Sequence, residues 1–317
     1  MKTIYLIRRN IKLFFKDKGM AISSMITPLI LILLYATFLK NVYVDSFHQA
    51  IDNVGISISE KYINGFVYGW LFSSLVAVSA VTVSFCSNLL MVSDKVSGAI
   101  NDFGVAPITK TKIAISYYVA SMLVSMIIIT IEIIIGFIIM ASSGWFLSAS
   151  DVVMIFVSAF LLVNFGTSLS SIINCFLSSQ GQMSAVGTLV SSIYGFICGA
   201  YMPINQFGSG LQHVLSFLPG TYATHAIRYS FERGVLNELK TSQGFPSEVV
   251  NKIASSFDIN ISFFNNEIPF WGSIIILASS TVIFISIYIL LNVRKNMLKW
   301  FIKICIVLLK CFLKFKI

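Results

Sequence analysis

The sequence predicts an all-α integral membrane protein with about six transmembrane helices, and three observations lead there. Hydrophobic residues make up 56% of the 317 and charged residues only 11%, with a mean hydropathy of +0.86. Soluble domains carry roughly 25% charged residues, so this chain lacks the polar surface to cover a water-soluble globule. Six apolar stretches, about 20–39, 66–92, 113–141, 152–177, 183–202 and 269–292, are long enough to be membrane helices, each of which needs about 20 residues. The third observation is the placement of charge between them.

Lysine and arginine stay on the cytoplasmic side of a membrane. With the amino terminus inside, the cytoplasmic segments hold six of them before residue 20, three in 93–112 and seven after 293. The outside segments 40–65 and 203–268 hold two and four. Asp17, Asp94 and Asp102 fall inside, whereas nine acidic residues fall outside. An even number of spans puts both termini in the cytoplasm, in agreement with the charges, and the expected location is the cell membrane. The net charge of +9 therefore follows topology and gives no sign of nucleic-acid binding. The first apolar stretch follows basic residues but lacks a small-residue cleavage site, so it reads as a retained span.

Two flanking segments read as interfacial. Over 1–19, Ile4, Ile7, Ile11 and Phe15 share one helical stripe and Arg9, Lys12 and Lys16 another. Over 294–317, Lys295, Lys299, Lys303, Lys310 and Lys314 share one arc among apolar residues, the pattern of a helix in the headgroup plane facing anionic lipid. The outside segment 203–268 opens at Pro203 and carries Pro219 and Gly220 before an apolar-aromatic run to Phe231. Its polar remainder, 236–267, is expected to form a small helical cap.

The stretch from Asp94 to Lys110 joins the second and third spans. Asp94 or Ser97 could cap a short helix, Gly104 could end it, and Pro107 would stop its continuation. Such a helix, presenting Ile100 and Phe103, suits docking into a groove on a soluble partner; an ordinary loop is the plainer reading of the same residues.

Three pieces together resemble a family. The basic amphipathic start runs into Pro28 of the first span. The stretch Asp94-x-x-x-Gly98 leads to Ala106-Pro107-Ile108-Thr109. Gly199-Ala200-Tyr201-Met202-Pro203 is followed by Leu218-Pro219-Gly220-Thr221-Tyr222 and by Arg228. In this order the chain resembles a permease of the type-2 ABC exporter family, the daunorubicin-resistance and polysaccharide-export kind, over nearly all of 1–294. The resemblance implies a six-span permease domain over 20–293, with a coupling helix at 94–109. Asp94, Gly98, Ile100, Phe103 and Pro107 would then contact a partner ATPase. It implies a re-entrant outer segment carrying Pro203, Pro219, Gly220 and Arg228. The chain would pair with a copy of itself or a similar permease and with a cytoplasmic ABC ATPase that uses ATP and Mg, binding no cofactor itself. The implied activity is export of an amphipathic cargo: a drug-like molecule, a peptide antibiotic or a lipid-linked compound. The polar stretch 236–267 and the lysine-rich tail go beyond the simplest members.

No G-x-x-x-x-G-K-[ST] phosphate loop occurs, so this chain is not expected to hydrolyse ATP. Leu177-Ser178-Ser179-Gln180-Gly181-Gln182 has the look of an ABC signature but lies between two spans, away from any nucleotide domain. The five cysteines form no CxxC or Cys/His metal spacing. Glu132 is the one acidic residue deep in a span, accompanied at membrane depth by Asn88, Asn164 and Asn174. A buried charge there is costly, so Glu132 should face the bundle interior, be protonated or find a partner. Glu132, Asn164 and Asn174 are either cargo or gating contacts or interhelical hydrogen bonds. A membrane enzyme would cluster His, Asp, Glu or nucleophiles at one depth, and no such cluster is present. An ion channel or secondary transporter is the alternative reading, although no internal repeat supports it.

Overall fold

The computed structural model describes residues 2–51, 58–105, 108–263 and 266–293. Twelve helices form among these residues: α1 Lys2–Lys16, α2 Lys18–Leu34, α3 Lys40–Ile51, α4 Glu60–Val96, α5 Ala99–Val105, α6 Lys110–Ser143, α7 Ala149–Phe176, α8 Gln180–Ile197, α9 Ser209–Ser216, α10 Pro219–Thr241, α11 Ser247–Ser256 and α12 Phe270–Val293. A π-helical turn, Tyr35–Leu39, joins α2 to α3, and a two-stranded antiparallel hairpin, β1 Ile261–Phe263 with β2 Asn266–Ile268, precedes α12. The lysine-rich segment 294–317 and Pro107 lie outside the described residues.

Five helical runs are long and apolar enough to cross a membrane: Lys18–Gln49, Glu60–Val96, Lys110–Ser143, Ala149–Phe176 and Phe270–Asn292. Helix α8 occupies the fifth predicted stretch, 183–202, but has only 18 residues. Its glutamines, serines and glycines keep it out of that apolar set, so by length and composition the count among the described residues is five.

Helix α4 is the axis. In its most apolar stretch 94% of the residues are buried, against 24% for the first span and 28% for α12. It packs against α2, α6, α7, α8 and α10, while α12 closes on α7 and α10 from outside. At 37 residues and 1.5 Å per residue it runs to about 55 Å, well beyond a hydrocarbon core of roughly 30 Å. Its first half is bulky, with Phe66, Trp70, Leu71, Phe72 and Leu75 buried. Its second half is small and hydroxylated, with Ser79, Thr82, Ser84, Ser87 and Asn88 buried.

This division suits lipid surroundings, where helices associate through close van der Waals contact and interhelical hydrogen bonds rather than through the hydrophobic effect. Gly136 of α6 receives the Phe72 ring, and Gly166 of α7 sits on the backbone of Val81. Further along, the Ser87 Oγ lies 2.5 Å from that of Ser121 and 3.2 Å from that of Ser125. Asn88 donates to the hydroxyls of Ser170 and Ser171 at 3.0 and 2.8 Å. Each such bond between membrane helices contributes about 0.6 kcal/mol, so their number matters more than any one of them.

The ends follow local rules. Asp17 interrupts α1 and α2 and accepts from the Met20 amide at 3.0 Å, the ordinary work of an N-cap. Ser148 and Asp151 form a reciprocal capping box at the start of α7. Pro219 stands in the first turn of α10, where its missing amide costs nothing.

A β-carbon at Gly166 would meet the Val81 Cα at 3.0 Å and the Ala80 carbonyl at 3.2 Å. Gly166→Leu should therefore force α4 and α7 apart and destabilise the protein by about 1–3 kcal/mol, measured by thermal unfolding in detergent. Gly181→Leu, whose β-carbon meets nothing within 4 Å, should leave the midpoint in place.

Candidate coupling and gating sites

At one end of the bundle the predicted coupling segment is shorter than expected. Asp94 belongs to the last turn of α4 rather than to a cap, Ser97 ends α4, and Gly98 turns the chain at φ +80. A side chain is strained there, which favours glycine. Helix α5 then occupies only Ala99–Val105.

Asp94 is buried, and its partner comes from 85 residues away. Arg9 of α1 grips its carboxylate at 2.6 and 3.2 Å, and the Tyr117 hydroxyl of α6 donates to it at 2.5 Å. The same guanidinium lies 5.2 Å from the centre of the Phe103 ring. One arginine thus ties the interfacial helix to the end of α4 and to α5. The hydrogen bond to Asp94 holds the guanidinium above its ordinary value. Beside it the Lys95 ammonium donates to the carbonyls of Asn174 and Cys175 at 2.8 and 3.1 Å, placing positive charge on the negative end of α7.

Ile100 and Phe103 point toward the bundle, where they line a cavity of about 350 Å³. Asn101 and Asp102 are exposed on α5. The helix therefore offers a polar face outward, and the apolar face that patterning suggested for a partner is turned inward.

At membrane depth Glu132 is 5% exposed and neither carboxyl oxygen has a hydrogen-bond partner among the described residues; Ser79 of α4 is a polar side chain that it faces. Asn174 is fully buried with its side-chain amide likewise unpartnered. Asn164 is only half-buried; its amide accepts from Tyr118 at 3.0 Å and donates to the Phe160 carbonyl at 2.8 Å. The three are thus separate features rather than one constellation.

The opposite end is organised by Arg228, which is 1% exposed. Its guanidinium donates to the Gly199 carbonyl at 2.8 Å and to the Ser74 hydroxyl at 3.1 Å, lies 4.7 Å from the centre of the Trp70 indole, and comes within 3.9 Å of Asp258. Asp258 adopts φ +54, uncommon outside glycine, and accepts from the amides of Ile204 and Asn205. Pro203 is buried at the start of that turn, and Gly220 packs on the Tyr194 hydroxyl of α8. One turn beyond Arg228, Glu232 is fully buried beside Gly69 with both oxygens unpartnered. Burial pushes its carboxyl well above the usual carboxylate range. Sequence reading found Arg228 but neither Asp258 nor Glu232. The one signal present was the i, i+4 spacing of Arg228 and Glu232 within an otherwise apolar-aromatic run.

Removing Arg228 would strip Asp258 and Trp70 of their common partner. Arg228→Leu should cost about 3–5 kcal/mol, as expected when one member of a buried charged set is lost. Arg228→Lys should fall between, because an ammonium keeps the charge but loses the planar fork. Thermal unfolding midpoints of the three proteins check this order.

No curated protein and no solved structure matches the chain. The sequence profile of the family described as ABC-2 type transporter matches residues 1–231, a stretch that contains α1, the Arg9–Asp94 pair, α5, all but one of the five long apolar runs and Arg228. By that match the chain belongs to the ABC-2 type transporter family, as the multi-pass permease component of an ABC transporter.

Proposed function

We propose that the chain is the membrane subunit of an ATP-driven exporter, pairing with a second permease copy or a similar subunit and with two copies of a cytoplasmic ABC ATPase. The alternating movement would carry an amphipathic cargo outward across the cell membrane. The observation that carries this reading is the attachment of α5. A seven-residue helix with an exposed polar face is tied through Arg9 and Asp94 to the central helix α4, so force applied at Asn101 and Asp102 would be delivered to the axis of the bundle. Helix α8 serves as the sixth span, its 18 residues giving about 27 Å, and both termini then lie in the cytoplasm. The segment around Arg228 would act as the outer gate, with Pro203, Pro219 and Gly220 shaping its turns. Glu132 and Asn174, buried and unpartnered, are the gating or cargo contacts within the membrane.

The test is recovery of the partner. Tagged protein purified from its native membranes should bring an ABC ATPase, identified by mass spectrometry and by ATP hydrolysis. Asp102→Arg, on the exposed face of α5, should lower that recovery about tenfold, roughly 1.4 kcal/mol, with an unchanged unfolding midpoint. A well-folded wild type that brings no ATPase and binds none of the ABC ATPases of its own cell would overturn the reading.

A further inference from the structure

The cavity behind α5 has a charge pattern that the exporter reading leaves unused. It lies between α5 and the neighbouring ends of α4, α6 and α12, with a volume of about 350 Å³, inside the range of small-ligand sites. Ile100, Phe103, Ile113 and Leu291 supply apolar wall, and Lys95 and Lys110 also line it. No carboxylate stands among the lining residues described. Of the two acidic residues adjacent in sequence to the lining, Asp94 is bonded to Arg9 and Tyr117, and Asp102 is on the exposed side of α5. Lys95 bonds only neutral carbonyls there, and Lys110 is exposed. Two cations on a largely apolar wall leave room for one kind of occupant: an anionic head carried on an apolar tail.

We propose that this cavity binds an anionic phospholipid, its headgroup between Lys95 and Lys110 and its acyl chain against Ile100, Phe103 and Ile113. The choice of a lipid rests on charge complementarity and on position. The cavity opens where three long apolar helices end together, at the level of the headgroups if the topology proposed above holds, and that leaflet carries the negative surface potential that attracts lysine. The same lipid touches α5 on its inward face, so its presence would set how firmly α5 is held against the bundle. Docking of an ATPase plays no part in the binding itself.

The experiment uses the full chain in neutral detergent, stripped of lipid, with its melting temperature followed as short-chain phosphatidylglycerol is added. A saturable rise is expected. Short-chain phosphatidylcholine, which has the tail without the net charge, and inorganic phosphate, which has the charge without the tail, should each give no rise. Lys110→Glu should weaken the apparent affinity for phosphatidylglycerol about tenfold. Lys112→Glu makes the same change of charge two residues along at an exposed position outside the cavity, and it should leave the affinity as in the wild type. Ile113→Trp, which fills the cavity without altering charge, should abolish the saturable rise. Equal weakening by Lys110→Glu and Lys112→Glu would mean general surface attraction and would overturn the site. A saturable response that survives Ile113→Trp, or equal stabilisation by the neutral lipid or by phosphate, would overturn it as well. Because the readout is binding by the isolated chain, failure here leaves the ATPase test standing, and failure there leaves this one.

Discussion

Lipid offers no hydrogen bonds, so each polar group that a membrane helix carries must be answered from within the protein. That constraint shapes this molecule around α4. A helix rich in serine and threonine would be a poor choice for the lipid-facing ring, but in the centre it meets protein on every side. Ser84, Ser87 and Asn88 find hydroxyls and carbonyls on α6 and α7, and the small side chains that do so also let those helices approach. The outer helices can then be nearly pure hydrocarbon. Exposed Ile127, Ile131, Ile134 and Ile138 run down one face of α6, and α12 has the highest mean apolarity of the long helices.

Where α4 leaves this polar seam, charge takes over, and it does so differently at each end. Asp94 is met by an arginine from an exposed helix and by a tyrosine, in a pair with partial access to water. Arg228 is enclosed, supported by an indole face, a serine and a carbonyl, with Asp258 at a longer distance. A guanidinium suits that place better than an ammonium would, since its flat face can lie on Trp70 while its edges donate. The buried aromatic side chains gather at the Arg228 end, with Tyr43, Phe66, Trp70 and Phe257 in mutual contact. The helix is therefore clamped by packing and enclosed charge at one end and by a half-buried ion pair at the other. The second clamp is the one with partial access to water, and it is the one that α5 depends on.

The spans were legible because their signal is local: length, apolarity and the sign of the flanking charges. The basic first helix was legible for the same reason, whereas the turn at Gly98 fell inside a helix expected over 94–109. Partners were not. Nothing near Asp94 in the sequence points to Arg9, and nothing near Arg228 points to Asp258, since both pairings are made by the folded chain across 85 and 30 residues. The inward turn of Ile100 and Phe103 was missed because apolar residues on a short helix have no way to state which neighbour they cover. The resemblance placed Arg228 in a re-entrant outer segment; it gave no sign that Glu232 and His225 of α10 are buried with it. The fifth expected span, α8, shows the limit from the other side, its polar content leaving it outside the apolar runs although the sequence was read as a span there.

The family match ends at residue 231, yet the structure does not divide there. Helix α10 continues to Thr241, α12 packs on α7 and α10, and Asp258 reaches back to hold the turn at Ile204 and to face Arg228. The part beyond the match is thus attached to the family core through the one arginine that the core buries most deeply. Phe257 strengthens the attachment, its carbonyl accepting from the Trp70 indole at 3.1 Å and its ring packing edge-on against Phe66. Both Trp70 and Ser74 of α4 lie within one turn of each other at that junction, one bonded to Phe257 and the other to Arg228. The axis of the bundle and the segment beyond the match are therefore joined at Arg228 and Phe257.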